Sequence, residues 1–328
     1  MENISRRNFV KLAGTVAAGT ALIGFGGIGA AAVTQNGNAA KSKSKVYFTK
    51  HIDAKHLIEL YNRVNNEIRG KVAIKLHTGE PHGPNILPRE MVQAFQKQIP
   101  NSTIIEANVA YGGPRANTKG HTDTLKVNGW TFCPVDIIDS DGDMNFPVKG
   151  GFHLKEVAMG KHLADYDSLV VLTHFKGHAM GGFGGSLKNI AIGCASGKAG
   201  KLQVHGVKDY GKWVRGALFM ELMADSGKSI CDHFGKHITF LNVLRRMSVD
   251  CDCAGTSAAE PVIPDLGMMA STDILAIDQA SVDMVYNLQD PRKKDLVERI
   301  ESREGLRQLS AMKELKMGNN EYELISID

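Results

Sequence analysis

The sequence predicts an α/β fold, a mostly parallel sheet flanked by helices with Gly-rich loops at the strand carboxyl ends, on three observations. Short apolar runs of strand length alternate with stretches of helical periodicity. Behind an N-terminal leader lie about 300 residues, enough to bury one large core. The unusual residues, clustered glycines and histidines, fall directly after the strand-like runs, where ligands gather in parallel sheets.

The leader comes first. Ser5, Arg6, Arg7, Phe9 and Lys11 precede the Gly- and Ala-rich apolar run Leu12 to Ala32, a basic region followed by a hydrophobic one with a twin-arginine mark. Ala30 and Ala32 suit cleavage after Ala32. Residues 1–32 are therefore expected to be an export signal and 33–45 a flexible Lys- and Ser-rich spacer, with 46–328 forming one α/β domain. A periplasmic or extracytoplasmic location follows, with the twin-arginine translocase as a transient partner and a retained membrane anchor as the alternative. That route carries folded proteins, so a cofactor inserted before export is a further expectation.

Strands are expected at Lys71–Leu76, Thr103–Ala107, Ser168–Leu172 and Ile238–Val243. Helices are expected at Ala54–Ile68, Pro88–Phe95, Leu154–Leu163, Val207–Ala224, Thr272–Leu288 and Asp295–Met312. The formal charge is only +4, half of it carried by the leader's Arg6, Arg7 and Lys11 net of Glu2, so nothing argues for a nucleic-acid partner. Five cysteines, an odd number in a chain too large to need disulfide staples, leave at least one thiol unpaired.

Two segments carry chemistry. The run Thr173 to Ser196 leaves a buried strand and contains Gly177, Gly181, Gly182, Gly184 and Gly185 ahead of Lys188. So many glycines permit the close backbone approach of an anion-cradling nest, with Lys188 as the charge, although neither standard nucleotide fingerprint fits. His174 and His178 in the same run offer a metal ligand or an acid and base near neutral pH. The second segment is Asp250-Cys251-Asp252-Cys253. In an extended strand the two cysteines share one face, about 6.6 Å apart at Cα, with both Asp on the other face. One metal with bonds of about 2.3 Å spans that separation easily. Cys231, His233 and His237 have permissible ligand spacing but sit in a helix-to-strand loop, and Asp139, Asp141 and Asp143 lack the Gly and Glu of a calcium loop.

Three stretches together carry a resemblance: KVAIKLHTGEPHGPN, VLTHFKGHAMGGFGGSLKNIAIGCASGKAGKLQVHG and VDCDCAGTSAAEPVIPDLGMMASTDILAIDQASVDMV. The chain resembles the prokaryotic family known only as domain of unknown function 362, most strongly over 45–288. That resemblance implies an iron–sulfur-associated protein, since many members carry a ferredoxin-like run of four cysteines. No such run occurs here, and between His205 and Ser248 only Cys231 appears. The His and GGFGGSLK run is also similar to the loop with which nickel-pincer lactate racemases hold their cofactor, with Lys188 and His174 as the analogous positions.

The expectation is an exported metal-dependent or redox enzyme acting on a small anionic substrate, its cofactor a transition metal or an iron–sulfur cluster. Cys251, Cys253, His77, His178 and His205 are the expected metal ligands, and Gly181, Gly182, Gly184, Gly185 and Lys188 the expected anion or cofactor cradle. His174, His178 and Lys188 are the expected catalytic groups. A carrier that binds a metal or anion without turnover, and a racemase-like enzyme of the nickel-pincer kind, are the alternatives. All of them require the paired thiols and the glycine-lined loop to face one cleft.

Overall fold

The computed structural model describes residues 43–328, so the expected export signal and most of the expected spacer lie outside the described residues. Among the described residues an eight-stranded sheet runs in the order β12-β1-β11-β10-β7-β2-β3-β4. Its strands are β1 (Ser44–Thr49), β2 (Val72–Lys75), β3 (Ser102–Glu106), β4 (Val135–Ile137), β7 (Ser168–His174), β10 (Ile238–Leu244), β11 (Gly267–Ser271) and β12 (Tyr322–Ser326). All pairings are parallel except the two made by β11, which runs against both β1 and β10. Two hairpins stand apart, β5 (Asp143–Pro147) with β6 (Glu156–Gly160) and β8 (Lys176–His178) with β9 (Gly182–Gly184).

The central strands are buried along their whole length and mostly apolar because both faces are covered. Successive residues of β7 alternate between two cores, Leu169 and Val171 in one and Val170 and Leu172 in the other. One face packs on the helices Ala54–Tyr61 and Arg89–Lys97, which contribute Leu57, Leu60, Val92 and Phe95. The opposite face packs on the helices Gly216–Phe234 and Ile274–Asn287, through Phe219, Met223, Ile277 and Ala280.

Four expected helices differ in the structure: Ala54–Ile68 stops at Tyr61, and the other three change more. Leu154–Leu163 is the strand β6 followed by a short turn, because the contiguous buried run Val157, Ala158 and Met159 reads equally as strand. Val207–Ala224 is broken into Val207–Tyr210 and Gly216–Phe234, with Gly211 and Gly216 at φ of +67° and +62° between them. Asp295–Met312 is likewise two helices, Lys294–Ser302 and Arg307–Glu314, parted where Glu304 takes a φ of +56°.

The chain steps outward from β2 to β3 and β4 in one direction, then from β7 to β10 in the other. The crevice between β2 and β7 is thus the topological switch point of the sheet, the place where an open α/β sheet leaves room for a ligand at its carboxyl edge. Asn189, on the helix Ser186–Ala191, closes the floor of that crevice: its Nδ2 donates to Leu172 O at 3.1 Å and Lys75 O at 3.3 Å.

Candidate functional site

A cavity of about 100 Å³ opens at this switch point. One end is built on Glu106, the last residue of β3. Its carboxylate accepts from Lys75 Nζ at 2.8 Å, Thr78 N at 2.9 Å, Thr78 Oγ1 at 3.0 Å and Arg115 Nη2 at 3.1 Å. Arg115 also donates to Glu80 at 3.2 Å and to His121 Nε2 at 3.1 Å. Burial alone would make Glu106 a weaker acid, but the charges of Lys75 and Arg115 reverse this and hold it well below the usual carboxylate range.

The other end is built on Cys251. The expected extended strand ends before it: Cys251 is extended, but Asp252–Ser257 curls into a tight turn. The turn directs Asp252 inward rather than to an outer face. Asp252 meets His174 Nδ1 and Lys176 Nζ, each at 2.9 Å, with all three side chains nearly or fully enclosed. The ligand atoms of Cys251, Cys253 and His178 lie within 4.8 Å of one another. Lys188 Nζ donates to Cys251 Sγ at 3.1 Å.

The two sulfurs are shifted in opposite directions. A hydrogen bond from Cys253, against the opposing effect of burial and with help from Lys188 and Lys176, pulls the Cys251 thiol well below its ordinary value, while the same bond and burial push Cys253 well above it. Cys251 is therefore the more acidic of the two thiols, with the Lys188 ammonium beside its sulfur. Burial, reinforced by Lys188, keeps His178 neutral, and its Nδ1 accepts from Gly181 N at 2.8 Å, which leaves the ring proton on Nε2. His77 joins the ends: its Nδ1 lies 3.3 Å from Glu106 Oε1, and the ring is one of the groups that lower the Cys251 thiol.

The remaining expected residues divide. His174 has both nitrogens engaged, Nδ1 with Asp252 and Nε2 with Arg245 O at 2.7 Å, so it braces Asp252 and has no nitrogen for proton transfer or ligation. His205 lines the cavity but stands outside the sulfur group, its Nδ1 donating to Lys201 O at 2.8 Å. Burial lowers its pKa to about 4, so it presents a neutral ring. Gly184, Gly185 and Lys188 line the cavity; Gly181 and Gly182 do not.

The glycine-rich loop does cradle an anion, but the protein's own. Ser186 N and Leu187 N donate to the carboxylate of Asp278 at 2.7 and 2.9 Å, and a Cβ on Gly185 would sit 2.4 Å from Asp278 Oδ1. Gly177 is required by close approach of a different kind, since a Cβ there would meet Val249 O at 2.2 Å, where the hairpin packs on the cysteine segment. In the second weighed cluster, His233 stacks on Phe146 and His237 Nδ1 bonds Glu67 O at 2.6 Å, so no ligand group forms there.

Sequence reasoning missed Lys75, Glu106, Arg115, Lys176 and Lys201, all buried and all lining the cavity. A signal existed for two of them: Lys75 and Glu106 are single charges inside otherwise apolar strands, which pay for burial only as a pair.

A family model described as Domain of unknown function (DUF362) matches residues 72–283, well over half of the chain. The chain belongs to this family. This DUF362 member is also similar to two solved structures. The lactate racemase apoprotein from Thermoanaerobacterium thermosaccharolyticum is 14% identical, with 74% of this chain and 57% of that one covered and a TM-score of 0.40. A Thermotoga maritima protein from a structural genomics effort is 10% identical, with 77% and 60% covered and a TM-score of 0.42. This DUF362 chain thus spans less than two thirds of either. No curated protein matches it.

Proposed function

We propose that the protein is an exported enzyme that holds a soft or borderline metal ion on Cys251, Cys253 and His178 and acts on a small anionic molecule in the adjoining cavity. The observation that carries this reading is the convergence of two sulfurs and one imidazole within 4.8 Å at the wall of a cavity rich in buried cations. The donor set fits such an ion: thiolate and imidazole are borderline-soft ligands, and one sulfur is already held acidic. Lys188 opposes a cation, yet with both thiols ionised the group carries one negative charge more than Lys188 cancels. The His178 Nε2 proton must leave, or the ring must turn, for that nitrogen to ligate.

Bound there, the ion would supply Lewis-acid or redox chemistry to a molecule in the cavity. The chain's own residues do the rest. Lys188 keeps Cys251 ionised, Asp252 and His174 anchor the turn that carries both sulfurs, and His77 ties that turn to the rigid Glu106 end. His205, neutral and with Nδ1 fixed as donor, leaves Nε2 able to accept a proton.

One observation favours a second reading. A buried, acidic thiol with an ammonium at 3.1 Å is also the arrangement of an activated nucleophile that needs no metal.

Metal analysis of the full chain, exported from its host cytoplasm, separates the readings. A stoichiometric metal that is lost in Cys251→Ser and in Cys253→Ser is expected; metal-free wild type, or metal unchanged in both variants, overturns the metal site. Export itself is tested by Arg6→Lys with Arg7→Lys, which should leave the protein in the cytoplasm; unchanged export would remove the twin-arginine assignment.

A further inference from the structure

Resting on the proposed function for its anionic substrate, we infer that Lys201, not Lys188, is the anchor for that substrate, and that the substrate is a small monocarboxylate. The inference comes from accounting for every buried cation on the cavity wall. Lys75 and Arg115 face Glu106 at 2.8 and 3.1 Å, Lys176 faces Asp252 at 2.9 Å, and Lys188 donates to the Cys251 sulfur at 3.1 Å. Arg115 has a second carboxylate in Glu80 at 3.2 Å, so Lys75 and Arg115 are balanced by Glu106 and Glu80, Lys176 has Asp252, and Lys188 has the acidic Cys251 sulfur.

Lys201 differs. It is the second residue of the helix Gly200–Val204, is 5% exposed and lines the cavity. Its ammonium has three donors but, among the described residues, one acceptor, Ala195 O at 2.6 Å, and no carboxylate within 4.0 Å. The two acidic groups that act on it from farther off are both occupied: Asp139 accepts from Asn108 N and Gly197 N, and Glu106 accepts from Lys75, Arg115 and Thr78. A buried charge without a counter-charge is costly, and the cost is recovered when a ligand brings the missing anion.

The ligand's class follows from charge and walls. One uncompensated ammonium calls for one negative charge. Val109, Ala110, Ile192 and Trp213 provide apolar wall for a short carbon chain, which inorganic phosphate lacks. His205 stands beside the anchor, its ring fixed by the bond to the Lys201 carbonyl.

The test is binding of acetate and propionate, with inorganic phosphate as competitor, to the dialysed full chain by calorimetry and thermal shift. Wild type should bind the carboxylates saturably and in preference to phosphate. Lys201→Met and Lys201→Gln should each weaken that binding by about thirtyfold or more. Ligand-free Lys201→Met should melt about 2–4 °C above wild type, because it removes an unpaired buried charge, whereas a merely structural lysine would lower the melting point when lost. Metal content should be unchanged in both Lys201 variants, and Cys251→Ser should still bind acetate, so failure of the metal site and failure of this anchor are separate results. Equal carboxylate affinity in wild type and Lys201→Met, preference for phosphate, or no saturable binding by wild type overturns the inference.

Discussion

The two ends of the cavity are both buried, both ionic and built on opposite principles. At the Glu106 end a carboxylate is saturated by Lys75, Arg115 and Thr78, each at ordinary hydrogen-bond length. At the Cys251 end a polarisable sulfur is held by Lys188 at 3.1 Å, with Cys253 and His77 helping to keep it acidic. The first has no capacity left for a ligand, so it serves as the wall against which the second is positioned. A site needs both: a pair that cannot be opened, and a donor set that can be taken over.

The contrast breaks if the two ends respond alike to mutation. Glu106→Gln leaves Lys75 and Arg115 buried without their shared partner, and should destabilise the fold by about 3–5 kcal/mol. Cys251→Ser should cost far less, about 1 kcal/mol or below, in urea melts of the metal-free protein. Equal losses would mean that the sulfur end is structural too.

Acid titration sharpens the same comparison. Glu106 is a stronger acid folded than unfolded, so its contribution is complete above the usual carboxylate range and is lost as pH falls through its lower folded value. Asp278, beneath the glycine loop, has the opposite sign. Burial raises it from 3.8 to about 6, so the stability it confers is present below pH 3.8 and is lost as pH rises toward 6. That loss amounts to about 3 kcal/mol, and Asp278→Asn should flatten the melting point against pH across this window. An unchanged slope in the variant would assign the pH dependence elsewhere.

A smaller effect concerns reactivity. Methyl methanethiosulfonate should modify Cys251 at pH 6 at least about tenfold faster in wild type than in Lys188→Met, because the ammonium holds the sulfur ionised. Cys194 should stay inert in both, since burial pushes its thiol up to about 12. Equal Cys251 rates in the two proteins would remove Lys188 from this role.

The fold was legible where its strands are buried on both faces, because such strands read as continuous apolar runs. The stretches around Val72, Ile104, Val170 and Leu241 all lie where the sequence places them. It was illegible where strand and helix patterns coincide, as at Val157 to Met159, and where a single left-handed residue such as Glu304 splits a helix. In the site, the glycine run and the paired cysteines stood out by composition alone. Their partners did not: Asp252 turns inward only because the extended chain ends at Cys251 and a tight turn starts at Asp252 itself, and Asp278 reaches the loop from a helix some ninety residues away. Lys201 carried no pattern, since what marks it is spatial: among the described residues no carboxylate pairs with its ammonium within 4.0 Å.

Cobalt(II) titration of the metal-free full chain tests the sulfur centre most directly, because thiolate ligation gives a charge-transfer absorption that nitrogen and oxygen ligands do not. One equivalent should develop that band in wild type and fail to do so in Cys251→Ser and Cys253→Ser, with the fold intact in both. A wild-type spectrum without the band, or a band that survives both substitutions, would contradict ligation by Cys251, Cys253 and His178.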